Sequence, residues 1–101
     1  MLKGQPLKFR ILELVAEEGP LWTNEIVNKI GMEYGMRSDY QRGMINYDVV
    51  EMVSAGFLSE GESKIDTEGV YREGRLLTLY SITGLGKSTL EDLKSKVREK
   101  V

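Results

Sequence analysis

Apolar residues return at intervals of three and four along the first half of the chain. In PLKFRILELVAEEG, Leu7, Ile11, Leu14 and Val15 share one helical face. Pro6 suits a first turn, where no intrahelical N–H bond is lost, and Gly19-Pro20 stops the pattern, so a helix is predicted over about 6–18. A short extended PLW leads into TNEIVNKIG. There Thr23 is placed to cap a helix over 23–30, Ile26, Val27 and Ile30 form its apolar face, and Gly31 ends it. A third helix is announced by SDYQ: the Ser38 hydroxyl accepts the amide of Gln41 while the Gln41 side chain reaches back. It is predicted over about 38–55, with Ile45, Val49 and Met52 facing inward, before Gly56 releases the chain into Phe57-Leu58.

The pattern then changes. FLSEGESKI and VYREGRLLTLYSI flank DTEG, whose Asp66 and Gly69 suit the ends of a type I turn, so a β-hairpin is predicted over 57–82. A turn centred there sets Gly61 opposite Gly74, Glu60 opposite Arg75 and Leu58 opposite Leu77; a longer loop would shift that register. Thr83 then caps a C-terminal helix over 84–100. The expected architecture is a single domain over 1–101, mainly α with a small antiparallel hairpin (α+β). Two short helices followed by a hairpin are the order of a winged helix-turn-helix, in which the second helix enters a groove and the hairpin lies beside it.

Composition narrows the chemistry. A chain of 101 residues builds one core without staples. With neither cysteine nor histidine, disulfide frameworks, thiolate zinc sites and Cys–His or Ser–His nucleophile pairs are excluded. No carboxylates are paired at a recognisable catalytic spacing, so neither an enzyme nor a cofactor is expected. No apolar run approaches the roughly 20 residues of a membrane span, and MLKGQPLKFRILELV soon meets AEEGP rather than a secretory cleavage pattern. A cytoplasmic protein is the expectation. The net charge of −2 argues against indiscriminate coating of nucleic acid, although binding depends on where charges sit, not on their sum.

TGLGKST, between a predicted strand and a helix, has the look of a phosphate loop. The full pattern needs a glycine at position 81, where Ser81 stands, and the chain has no room for the parallel strands and magnesium-binding aspartate of such a domain. The stretch is read instead as a tightly packed corner, with Thr83 as cap and Lys87 at the start of the helix.

Two motifs carry a resemblance. In YSITGLGKSTLEDL, the residues Tyr80, Ile82, Thr83, Gly86 and Leu90 follow Tyr-x-apolar-Thr-x-x-Gly-x-x-x-Leu. In INYDVVEMVSAGFL, Ile45, Val49, Met52, Gly56, Phe57 and Leu58 match the exit of a recognition helix. With a hairpin between them, the chain from Leu7 to Leu93 resembles PadR-like and MarR-like transcriptional regulators. It departs where PadR-like proteins usually carry tyrosine: that position is Asn46, with Tyr47 one step on. The resemblance implies binding of double-stranded DNA by a homodimer joined through terminal helices.

On the third helix, the inward register leaves Tyr40, Gly43 and Tyr47 outward, flanked by Asp39, Met44 and Asn46. Arg37 precedes the cap and Arg42 lies beside the inward face. Arginine pairs with guanine O6 and N7, asparagine with adenine, and tyrosine with phosphate or a thymine methyl. The expected DNA-contacting set is Arg37, Ser38, Tyr40, Gln41, Arg42, Asn46 and Tyr47. Gly43 in mid-helix costs about 1 kcal/mol relative to alanine, a cost that close approach to a groove wall would explain. Tyr40, Met44 and Tyr47 leave this face more apolar than a DNA reader needs, to be covered by the Met32–Met36 loop or by a partner. Lys64, Arg72 and Arg75 of the hairpin, with Lys87, are the candidate phosphate contacts, against Glu60, Glu62, Asp66, Glu68 and Glu73 on the same hairpin. In LEDLKSKVREKV, Leu90, Leu93, Val97 and Val101 form a narrow seam suited to helix pairing, hence to a homodimer; pairing by the N-terminal helix fits equally well. A small-molecule effector would leave no motif. The function expected is a sequence-specific DNA-binding transcriptional repressor, and the alternative is a winged-helix protein-interaction module without DNA binding.

Overall fold

The computed structural model, which describes residues 6–99, has the helices α1 (Leu7–Glu18), α2 (Thr23–Tyr34), α3 (Asp39–Ser54) and α4 (Gly84–Glu99) and three strands. These are β1 (Leu21–Trp22), β2 (Leu58–Ile65) and β3 (Leu76–Ile82), in the antiparallel order β1-β3-β2. The extended PLW is therefore a third strand beside the predicted hairpin, pairing Leu21 with Tyr80 and Trp22 with Leu79. The predicted helical faces meet in one core. Ile11, Leu14 and Val15 of α1, Ile26, Val27 and Ile30 of α2, and Ile45, Val49 and Met52 of α3 are all buried, with Leu58, Tyr80 and Leu90 closing it. Among the described residues no helix is long and apolar enough to cross a membrane.

Several local expectations are corrected. Gly31 does not end α2. It is buried inside the helix, where an added Cβ would lie 2.9 Å from the Met36 carbonyl, and the left-handed residue that ends the helix is Gly35 (φ 68°). Thr23 does not cap α2; the Trp22 amide is taken by the Glu25 carboxylate at 2.9 Å. The buried Thr23 hydroxyl instead accepts the Thr78 N–H (2.9 Å) and donates to the Thr78 carbonyl (3.3 Å), doing for β3 what the next residue of a paired strand would do.

The hairpin register is also different. Leu58 faces Ile82, Glu60 faces Tyr80 and Lys64 faces Leu77, with a bulge between Glu60 and Ser63. Residues 66–75 form a long loop, because Asp66 is not the corner of a short turn. Its carboxylate accepts the amides of Val70 (3.0 Å), Tyr71 (2.8 Å) and Arg72 (2.8 Å), which folds a segment that reads as strand into a closed loop. The loop neck is fastened by Asp66 N–H to the Arg75 carbonyl (2.7 Å) and Gly74 N–H to the Asp66 carbonyl (2.8 Å).

At the TGLGKST corner the structure bears out Thr83 as cap and one of the two glycines. Thr83 Oγ1 accepts the Gly86 amide at 2.9 Å, and the Thr83 amide donates to the Phe57 carbonyl at 3.0 Å. A side chain on Gly86 would collide with that same carbonyl and with Ile82, whereas Gly84 has open space around it. Only one of the two corner glycines is thus demanded by packing. Leu90, expected in the seam for helix pairing, is instead buried in the domain's own core, and Leu93 is half-buried; the side chain of Val97 and all of Val101 lie outside the described residues.

Candidate nucleic-acid interface

The start of α3 is the most fully specified part of the surface. The Ser38 hydroxyl accepts the Gln41 amide (3.1 Å), and the Gln41 carboxamide oxygen accepts the amides of Arg37 (3.0 Å) and Ser38 (3.2 Å). Two orphan donors outside the helix are satisfied by one side chain, so the oxygen of Gln41 is already engaged in the cap. Outward from the core stand Tyr40 (78% exposed), Tyr47 (64%) and Met44 (45%), and the Met32–Met36 segment does not cover them. Asn46 is half-buried on the flank. A shallow groove of about 500 Å³ between α2 and α3 brings Arg37 and Arg42 to one rim, above a floor of Val27 and Gly31.

The loop at the tip of the hairpin returns to this helix. Arg42 donates from Nη2 to Asn28 Oδ1 of α2 (2.6 Å), and its Cζ lies 5.6 Å from the centre of the Tyr71 ring. Arg72 donates from Nη2 to the backbone carbonyl of Asp39 (2.9 Å), and its Cζ is 5.5 Å from the same ring. A Cβ on Gly43 would lie 3.6 Å from the Arg72 guanidinium, so the mid-helix glycine faces the hairpin loop. Lys64 lies apart, its Nζ 4.3 Å from the Trp22 ring centre, and Arg75 is exposed at the loop neck. Lys87 is exposed at the corner beside the far end of α3, a helix about 24 Å long. The structure thus gathers Arg37, Arg42 and Arg72 around the beginning of α3 and leaves Lys64 and Lys87 elsewhere.

Sequence reasoning missed Tyr71 and Asn28, which hold the two arginines, and Asp66, which shapes the loop. The available signal is an aromatic residue directly before an arginine, in a segment whose composition favours strand. Asp66 is also the hairpin's one buried acid (2% exposed). Burial pushes its carboxyl up, and the amides of Tyr71, Val70, Arg72 and Gly69 outweigh that and hold it below the ordinary carboxylate range. Its charge is absorbed by the loop's own N–H groups, so it weighs less against the basic residues than a count of charges suggests.

The cations whose side chains are described fall into two groups. Lys8, Arg10, Lys29, Lys94 and Lys96, on α1, α2 and α4, all pair with carboxylates. Arg37, Arg42, Lys64, Arg72, Arg75 and Lys87 meet aromatic faces, neutral oxygens or solvent, and none has a carboxylate within ion-pair distance.

No family model and no curated protein matches the chain. Solved structures do. A protein from Thermoplasma acidophilum, proposed in its description to be a transcriptional regulator, superposes with a TM-score of 0.67 at 23% identity over 93% of this chain and 82% of that one. A PadR-like transcriptional regulator from Bacillus cereus gives 0.65 at 21% identity, over 89% of this chain and 79% of that one. The fold is the winged helix-turn-helix of these structures, with α2 and α3 as the helix pair and β2–β3 as the wing.

Proposed function

We propose that this chain is a cytoplasmic, homodimeric transcriptional regulator that binds a specific double-stranded DNA site and represses by blocking polymerase. The observation that carries the reading is the partition of cations: those around the start of α3, on the wing and at the corner have no carboxylate within ion-pair distance. A phosphate engages such a group without first displacing an internal anion, and counterion release supplies the bulk of the affinity. The descriptions of the two similar structures, both naming regulators, support the same reading. In it, α3 enters the major groove, Arg42 and Asn46 meet base edges, Tyr40 and Tyr47 meet phosphate or thymine methyls, and Arg37, Ser38 and Gln41 lie at the groove entrance. Lys64, Arg72, Arg75 and Lys87 contact phosphates. Dimerisation through α4, by Leu93 with Val97 and Val101, would set two such helices about one DNA turn apart.

Selection of bound sites from a random duplex pool tests this. A palindromic consensus with half-sites about 10 base pairs apart is expected; failure to enrich any sequence would overturn it. A second reading, a protein-interaction module, is favoured by the exposed Tyr40, Met44 and Tyr47. Retention on random duplex DNA at low salt separates the two, since the module would pass through.

A further inference from the structure

We infer that Tyr71, on the wing loop, is a positioning residue for base recognition, holding the arginine of α3 in its reading pose and tying the wing to that helix. The inference rests on the DNA-binding reading and adds a residue that directly touches no DNA in it. Three observations carry it. The Tyr71 backbone is immobilised by Asp66, whose carboxylate takes the amides on both sides of it as well as its own, and the ring packs against the core. Both Arg42 and Arg72 bring their guanidinium groups to that one ring, at 5.6 Å and 5.5 Å. Each is restrained a second time by a neutral oxygen, Asn28 Oδ1 for Arg42 and the Asp39 carbonyl for Arg72.

An arginine that reads guanine must present a planar fork in one orientation, and its long side chain otherwise samples many. A carboxylate would orient it but would also cancel its charge. An aromatic face with a neutral acceptor orients it and leaves the charge for the nucleic acid. The contact of Arg72 with the Asp39 carbonyl, over Gly43, closes the wing against the helix, so the loop that carries Tyr71 cannot swing away without releasing both arginines. An alanine at position 43 would still fit at 3.6 Å, but a longer side chain would push Arg72 out.

The test uses the full chain, a duplex selected from a random pool by the wild-type protein, and its single-base variants. Tyr71→Leu is expected to lower affinity for the selected duplex by about tenfold and to flatten discrimination at the base pair sensed by Arg42, while the salt slope stays unchanged because both charges remain. Tyr71→Phe, which keeps the ring, should restore discrimination. Asn28→Ala, at an exposed position, should reproduce part of the loss in a fully folded protein. Adding Tyr71→Leu to Arg42→Ala should cost no more than about twofold beyond Arg42→Ala alone. Thermal melts of each variant separate loss of fold from loss of pose. Independent, additive effects of Tyr71→Leu and Arg42→Ala, or discrimination preserved in a folded Tyr71→Leu, would overturn the inference while leaving DNA binding intact. Absence of duplex binding by the wild-type chain would overturn both.

Discussion

Arg10 and Arg42 each reach from their own helix to α2, and the two surroundings could hardly differ more. Arg10 holds Glu33 through two bonds of 2.8 Å and reaches Glu13 and Glu17 at 3.0 Å each, with its side chain 17% exposed. Those carboxylates, Glu33 first, raise its already high pKa further, and in return Arg10 depresses the Glu33 carboxyl. Arg42 touches an amide oxygen and the face of a ring. The first arrangement fastens α1 to α2 and leaves no net positive charge for anything outside. The second fixes an orientation and keeps the charge. Within one small domain, then, the partners of an arginine, more than its exposure, decide whether its charge is spent on fastening two helices or stays available.

The largest expected effect is on binding. Arg42→Ala should weaken binding to a selected duplex by about 1–3 kcal/mol with little change in stability; an unchanged gel-shift titration would remove Arg42 from the reading set. Arg10→Ala should do the reverse, lowering stability in urea denaturation by about 1–2 kcal/mol with DNA affinity unaltered. A variant equally stable would show the fastener to be dispensable. Acid should reach the wing only late, because the loop's own amides hold the Asp66 carboxylate ionised. Because the folded Asp66 carboxyl is held below its ordinary value of about 3.9, its contribution is complete above that value and is lost as pH falls through the depressed one. An NMR titration from pH 5 downward should therefore show the Val70, Tyr71 and Arg72 amides shifting together only in strong acid; movement above pH 5 would contradict the assignment. The smallest effect is the most diagnostic of the partition. Arg72→Ala should reduce the salt slope of binding by roughly one, and Lys29→Ala, whose ammonium is paired with Glu18 at 2.6 Å, should leave it untouched.

The helical half of the molecule was open to reading because its signals are local. Ile45, Val49 and Met52 lie on one face whatever surrounds them, and the Ser38–Gln41 box needs only four residues to form. The corner at Thr83 and Gly86 was legible for the same reason. Contacts across the chain were not. Nothing near Gly31 announces the Met36 carbonyl, so a buried helix glycine looked like a stop. Asp66 resembled a turn corner because its three bonds go forward into a segment whose composition favours strand, and that error displaced the register of the whole hairpin. It also hid Tyr71, which makes sense only once the loop bends back to α3. For the candidate interface, the types of residue were recoverable from sequence, but the company each keeps was not.

The Thr23 hydroxyl, which serves the Thr78 N–H and C=O together, has a bearing on how the protein behaves in company. Where β1 stops after two residues, the rim of β3 would otherwise present a bare donor and acceptor to any passing chain, the beginning of a templated aggregate. A single side chain occupies that donor and acceptor without lengthening the strand. The opposite rim, β2, is guarded differently, by a bulge and by the charges of Glu60, Glu62 and Lys64, features that disfavour the addition of a fourth strand.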